Sequence, residues 1–548
     1  MTNTLVESVL DTTIEAAFRK SVDKYPQNIF IAVPAAVNRD YYKNGFEISY
    51  ADAAARIELL KARFKEAGYG IGHRIAVALD NRPEHILVRL ALNGLGISCV
   101  PINPDYRASE LAYVLQHSEA ALIIHLECHK KNIKEANKAI DCPVPTLCFQ
   151  HHMDSLPVAK LCGGKGELSP CMESSLLYTS GTTGAPKGCM LSNQYELMSG
   201  AWYASLGGMS TIREGKERVF NPLPLYHINS GTVSTIGMML TGGCQIQPDR
   251  FHPRSWWRDV AETRATVIHY LGVVAPMLLN LPVTPAEREH SVRFGFGAGV
   301  EPGLHEIFEN RFGFPLIEVW GMTEMVRVLA ANTRPRKRGT RAIGYPKPGL
   351  EAEVHDEEGK KVPPGVTGEL VVRYSVNNPR LGSFLGYLKD EEATKRAWSG
   401  GWFHTGDNVY QAEDGMMHFV DRMKNIIRRS GENIAAAEIE GVLQECEEVA
   451  QVAVLAVSDA IREEEVMACI VPAEGSRADE RLAHQLFSYC NRKLAYYKPP
   501  GWIKFYRELP RTGSQKIQKH LILKKNAEPL KIPDVIDLRH MKRRNNKE

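Results

Sequence analysis

No run of about 18 consecutive apolar residues occurs in the chain, so no membrane-crossing helix is expected. Paired cysteine spacing is also missing. The eleven cysteines are scattered from Cys99 to Cys490 without a C-x-x-C motif. That odd, unpatterned set argues against a disulfide framework or a patterned zinc site, and for reduced thiols in a cytoplasmic protein. Neither sign of charge is in excess: 67 basic and 64 acidic residues leave a net +3. Such a balance predicts neither nucleic acid nor an acidic membrane surface as partner. Internal repeats and long low-complexity segments are lacking too. The first twenty residues carry Glu7, Asp11 and Glu15 rather than the basic-then-apolar design of a secretory leader.

What is present is an ordinary globular composition, 44% hydrophobic and 24% charged, over 548 residues. That length predicts two or more domains. Between residues 74 and 125, strand-like and helix-like stretches alternate: RIAVALD, PEHILVRLALNGLG, SCVPINP, ASELAYVLQHS, AALIIH. The same rhythm returns over 219–330. Alternation of this period implies an α/β fold with helix-covered, largely parallel sheets. From about residue 340 turns become dense and strands short, which predicts a small β-rich subdomain. After Arg422 a compact α+β unit begins, with a helix in AAAEIEGVLQEC and strands in AQVAVLAVSD and EVMACIVPA. The expected domains are 1–422 and 423–548, and the basic tail HMKRRNNKE is read as a solvated terminus.

Residues 178–188, YTSGTTGAPKG, hold five hydroxyl side chains, three glycines and one lysine. Small residues let a backbone curl until its N–H groups converge on an anion. Lys187 adds a point charge that reaches along a polyphosphate. An apolar strand precedes the loop and NQYELMSGAWYA suits a helix, so the expected context is strand, glycine loop, helix. The loop is not the common P-loop, because Pro186 and Gly188 flank the lysine. WGMTE, 320–324, places an aromatic, a hydroxyl and a carboxylate after the strand PLIEV, where ligands of open α/β sheets bind. Glu324 there is a candidate magnesium ligand. GWFHTGD, 401–407, ends in Asp407, placed to accept from vicinal hydroxyls. DRMKNIIRRSGENI, 421–434, concentrates cations at the proposed domain junction, and LPRTGSQKIQKH carries Lys516.

In this order, together with PLYH at 224–227, these stretches resemble the adenylate-forming superfamily of acyl-CoA synthetases, luciferases and peptide-synthetase adenylation domains. The resemblance covers nearly the whole chain, and the wording of DRMKNIIRRSGENIAAAEIE is similar to the carnitine and crotonobetaine CoA ligase branch. It implies ATP, Mg²⁺ and coenzyme A as ligands, with roles for particular residues. Thr179, Ser180, Gly181, Thr182, Thr183, Gly184 and Lys187 would wrap the β- and γ-phosphates. Gly299 would lie along the adenine, and Trp320 and Gly321 at the purine. Thr323 would sit near the α-phosphate and Glu324 on the metal, while Asp407, helped by Arg422, would take the ribose. Lys516 would be the catalytic lysine of adenylate formation, with Lys519 as fallback because Gln515 stands where many relatives have glycine. Lys424 would be the hinge. Arg428, Arg429, Gly431, Glu432 and Asn433 would serve CoA and its thiol. His227 would gate an acyl pocket shared with Tyr226, Asn229, Gly297, Ala298 and Met322.

The reading is an ATP-dependent acyl-CoA ligase: a carboxylate attacks the α-phosphorus, pyrophosphate leaves, and a thiol then displaces AMP. Transfer to a carrier-protein thiol is the alternative, as is a medium- or long-chain fatty acid as substrate. The polar tips of Tyr226, His227 and Asn229 at one mouth favour a short or medium, polar or cyclic acid. The oligomeric state stays open, a homodimer among the options.

Overall fold

The computed structural model describes residues 4–149, 156–179, 186–272, 274–300, 302–325, 327–422, 426–510, 519–523 and 527–543. Four sheets organise them. In the seven-stranded sheet, strands Glu173–Thr179, Ser98–Pro101, Arg74–Ala78, Leu122–His125 and Thr146–Cys148 run parallel to one another. The helices Pro83–Asn93 and Ala108–Ser118 supply crossovers between them, as the alternating pattern predicts. The central strands Arg74–Ala78, Ser98–Pro101 and Leu122–His125 are almost wholly buried, because both faces of a helix-covered sheet are covered. The eight-stranded sheet is likewise parallel in its middle, from Leu316–Trp320 across to Ile29–Val33. A third sheet, antiparallel, spans Ala342–Gly344 to Met417–Arg422 and forms the expected β-rich part. The fourth gathers the strands after residue 425, where Val449–Asp459 and Glu463–Pro472 make a long hairpin. No described helix is long and apolar enough to cross a membrane.

Two local expectations are corrected. The phosphate loop does not lead straight into a helix. Residues Lys187–Ser192 form a strand antiparallel to Glu173–Thr179, with Thr179 paired to Lys187. The helix Asn193–Ala204 starts only at Ser192, whose hydroxyl caps it by accepting from the Tyr195 amide at 3.0 Å. Among the described residues, the segment 180–185 is thus flanked by two paired strands rather than by a strand and a helix. The basic tail is not wholly solvated either. Lys542 is buried, with Nζ donating to Glu465 and to the Tyr497 carbonyl (3.0 Å).

Candidate active site

Strand ends of the two large sheets and the long strand Trp402–Gln411 converge on a cavity of about 570 Å³. Thr179 and Lys187 enter it from the hairpin, facing each other across the ladder. Lys187 Nζ lies 3.9 Å from an Asp390 carboxylate oxygen and 4.7 Å from the centre of the Tyr387 ring. Ser180, Gly181, Thr182, Thr183 and Gly184 lie outside the described residues.

The WGMTE segment leaves the strand Leu316–Trp320 at its carboxyl end, and Gly321, Met322, Thr323 and Glu324 line the cavity. The Thr323 carbonyl is fixed by the buried Tyr195 hydroxyl at 2.5 Å. Glu324 is nearly buried, and Tyr387 donates its hydroxyl to Oε1 at 2.7 Å. Burial and the neighbouring Glu324 carboxylate push the Tyr387 phenol far up, so it stays a donor. A carboxylate held by one oxygen beside Lys187 and a phosphate-type loop is a donor set that suits magnesium, which takes one or two carboxylates and completes its shell with phosphate oxygens and water.

Trp320 does not line the cavity. Its indole is buried and donates Nε1–H to Asp407 Oδ2 at 2.8 Å. The sequence motifs WGMTE and GWFHTGD are thus joined by one hydrogen bond. Asp407 sits after Gly406, whose φ of +70° turns the strand, and the Gly406 amide donates to Glu369 Oε1 at 2.9 Å. Glu369 Oε2 holds His404 Nδ1 at 2.8 Å, an interaction that raises the imidazole above its ordinary value. Asp407 pairs in the ladder with Arg422.

On the acyl side, the cavity wall is mostly apolar, with Leu223, Val233, Phe296 and Met322 among its residues. Of the polar tips expected there, Asn229 and Tyr226 have protein hydrogen-bond partners. Asn229 Oδ1 accepts from His269 Nδ1 (2.7 Å) and Asn221 Nδ2 (3.0 Å). His269 is fully buried and pushed down to about 3, so it stays neutral. Tyr226 donates its hydroxyl to Glu432 Oε1 at 3.2 Å, and His227 Nε2 lies 3.5 Å from Glu432 Oε2. His227 and Asn229 nonetheless line the cavity, and His227 Nε2 makes no hydrogen bond among the described residues in this arrangement. Gly297 lines the wall, and strand packing requires glycine there, since a Cβ would sit 2.1 Å from the Tyr270 carbonyl oxygen. Ala298 lines the wall, and Gly299 turns the chain at φ +89° with its amide donating to Glu318 at 2.8 Å.

Glu432 arrives from the other side of the junction, on the hairpin Ile426–Arg429 with Glu432–Ala435. Burial would raise its carboxyl, but His227, Tyr226 and Lys498 together hold it below its ordinary value. Gly431, at φ +86°, lines the same cavity. Further contacts clamp the junction. Asn103 donates to the Tyr497 hydroxyl at 2.9 Å and Ser109 to the Lys493 carbonyl at 2.8 Å. Lys498 Nζ donates to both Glu110 and Glu438, the latter at 2.8 Å.

Of the cations expected to meet CoA, Arg429 is corrected. It is buried and donates to Glu465 at 2.7 Å, because the alternation of its strand turns it into the core. Arg428, on the opposite face, stacks over Phe419 at 5.2 Å. Lys519 donates to the Val454 carbonyl (3.2 Å) and pairs with Glu440 (2.6 Å), so it is engaged within the last sheet's own packing. Lys516 and Lys424 lie outside the described residues, as do the side chains of Arg422 and Asn433. Tyr387, Glu369 and Lys498 are site residues that the sequence reading did not identify.

Comparison with known proteins agrees with this geometry. The family model described as AMP-binding enzyme matches residues 18–388, and that of the AMP-binding enzyme C-terminal domain matches 438–516. A crotonobetaine/carnitine–CoA ligase of Salmonella typhi is 30% identical over 488 residues, 86% of this chain and 92% of the relative. Among solved structures, the amide bond synthetase McbA of Marinactinospora thermotolerans superposes with a TM-score of 0.80 at 24% identity, covering 93% of this chain and 99% of that one. A double mutant of the o-succinylbenzoate CoA synthetase of Bacillus subtilis gives 0.80 at 23% identity, covering 93% and 98%. Both of these likenesses concern the fold. The chain belongs to the AMP-binding enzyme family, the adenylate-forming superfamily, in its acyl-CoA synthetase branch.

Proposed function

We propose that this protein joins a short or medium carboxylic acid to coenzyme A in two steps through an acyl-adenylate. The carrying observation is one cavity that joins Thr179 and Lys187, Glu324, Asp407, an apolar wall and Gly431. ATP is read with its ribose at Asp407 and its terminal phosphates at Lys187 and the segment 180–185. Glu324, steadied by Tyr387, would hold Mg²⁺, which supplies charge neutralisation on the phosphates. The acid would lie along Val233, Phe296 and Met322 with its carboxylate toward the Thr323 end. Its attack on the α-phosphorus forms the mixed anhydride and releases pyrophosphate. Lys516 is assigned to that step from the family resemblance. The CoA sulfur then attacks the acyl carbonyl and AMP leaves.

The arrangement described above fits the second step, because Glu432 and Gly431 are docked at the acyl mouth. Lys424 is assigned as the hinge from the family resemblance, with domains at 1–422 and 423–548. Arg428 remains the candidate CoA cation. The size assignment follows the resemblance to the carnitine and crotonobetaine CoA ligase branch. Relatives named for crotonobetaine and carnitine support the same size class. The test is ATP–pyrophosphate exchange over acetate, butyrate, crotonobetaine, benzoate, an aryl-acetate and palmitate, with thioesters identified by mass. Palmitate winning by tenfold in kcat/KM would refute the size assignment. Exchange with none of the acids, under conditions where ATP binds, would count against acid activation itself.

A further inference from the structure

A second set of reactive side chains lies at the carboxyl ends of two strands of the seven-stranded sheet. Arg74–Ala78 and Leu122–His125 pair in parallel, with Ala78 opposite His125. The turn after the first strand presents Asp80. The short 3-10 turn Glu127–His129 after the second presents Cys128 and His129. One carboxylate oxygen, one sulfur and one imidazole nitrogen lie within 4.8 Å of one another, the one such trio among the described residues. Sequence spacing does not reveal it, since Asp80 and Cys128 are far apart in the chain. Topology assembles it, and it qualifies the expectation that the scattered cysteines serve no metal.

The trio is held in shape. Asp80 adopts φ +54°, a left-handed conformation that non-glycine residues take at a cost and that clusters at functional sites. Its carbonyl accepts from the Arg82 amide at 3.2 Å and lies 3.1 Å from His85 Nδ1. Its carboxylate accepts from His129 Nε2 at 2.6 Å. His129 is largely buried. Cys128 is exposed and leaves the trio open on one side.

We propose that Asp80, Cys128 and His129 form a binding site for zinc or a similar borderline divalent cation, with water in the fourth position. Thiolate and imidazole donors select such ions over magnesium, so this site is chemically distinct from Glu324. On binding, the ion replaces the His129 and Cys128 protons, which pass to solvent. The Asp80–His129 hydrogen bond then opens by roughly 1 Å, because ligands about 2.0–2.3 Å from a tetrahedral ion cannot stay in hydrogen-bond contact. The next residue, Asn81, accepts from the Leu225 amide (2.9 Å) and donates to the Leu223 carbonyl (3.2 Å). An ion at Asp80 therefore braces the turn that carries one wall of the acyl pocket.

The experiment is a cobalt(II) titration of the chelator-treated full-length protein without nucleotide. One equivalent is expected to give a thiolate-to-cobalt charge-transfer band and the visible bands of four-coordinate cobalt, both erased by added zinc. Cys128→Ser should abolish the charge-transfer band. Asp80→Asn and His129→Gln should weaken binding tenfold or more. Cys142→Ser, Cys162→Ser and Cys171→Ser, at other exposed cysteines, should leave the band intact. Because the buried His129 variant can disturb folding, the exposed Cys128→Ser decides. Metal-free, it should melt with the wild type, and zinc should raise the Tm of the wild type alone. Absence of a cobalt band, or a band that survives in Cys128→Ser, overturns the proposal.

Discussion

Glu324 owes its orientation to Tyr387, and Asp407 owes part of its own to Trp320. Each pair joins a residue from a legible motif to a neighbour that holds one of its carboxylate oxygens. Hydrogen-bonded outer groups of this kind are worth about 10–100-fold in metal affinity. Tyr387→Phe is therefore expected to raise the Mg²⁺ concentration for half-maximal pyrophosphate exchange by at least tenfold. An unchanged Mg²⁺ titration would show that Glu324 does not need the phenol. Lys516→Ala is expected to cut adenylate formation on the order of 100-fold while preformed acyl-AMP still reacts with CoA. Equal loss in both half-reactions, measured separately, would remove it from the first step. Glu324 and Asp407 were legible because each closes a short local motif. Tyr387 and Glu369 were not, because their roles arise from pairing. Tyr387 sits on the two-residue strand Gly386–Tyr387 beside Met190 and Cys189, and Glu369 lies opposite Asn408 in the third sheet. No local pattern marks a residue whose partner is set by strand register.

Among the elements, the hairpin Ile426–Ala435 carries the most function for its size. Its tip needs glycine at 431 for two reasons. The backbone is left-handed there, and a Cβ would come within 2.2 Å of Leu271 Cδ1 at the cavity wall. Gly431→Ala should leave pyrophosphate exchange within a factor of two, since the tip brings no group to the phosphates. Thioester formation should fall tenfold or more, because the tip can no longer seat beside Leu271. Stopped assays of the two half-reactions check this, and a parallel loss in both would mean the substitution harms the fold instead. The helices and parallel strands were readable because apolar runs of this length and spacing have few other uses. The strand Lys187–Ser192 was not. Its glycine and serine resemble loop residues, and only its antiparallel pairing with Glu173–Thr179 makes it a strand. Arg429 was misassigned for a related reason: alternation along a strand sends Arg428 and Arg429 to opposite faces, and a run of two cations does not say which face is wet.

At the scale of the whole molecule, the proposed two-step reaction has the part after residue 425 dock for one step and leave for the other. Lys498 is the buried pin of the docked form. Its ammonium donates to Glu110, on the helix Ala108–Ser118, and to Glu438, on the helix Ala436–Gln444. Burial works against its charge, yet the two carboxylates together raise it well above the ordinary lysine value, so it stays protonated. Lys498→Met would leave two carboxylates facing each other without a cation. Breaking a buried pair in this way costs about 3–5 kcal/mol, and separation of the two parts relieves it by giving Glu110 and Glu438 back to water. The undocked forms should gain at the expense of the docked one. Thioester formation from added acyl-AMP is therefore expected to fall by tenfold or more, while acid-dependent pyrophosphate exchange persists. Adding Glu110→Gln to Lys498→Met removes one of the orphaned charges and should recover part of the thioester rate. If the double variant is no better than the single one, or if exchange collapses with thioester formation, Lys498 is holding the fold and not the docked state.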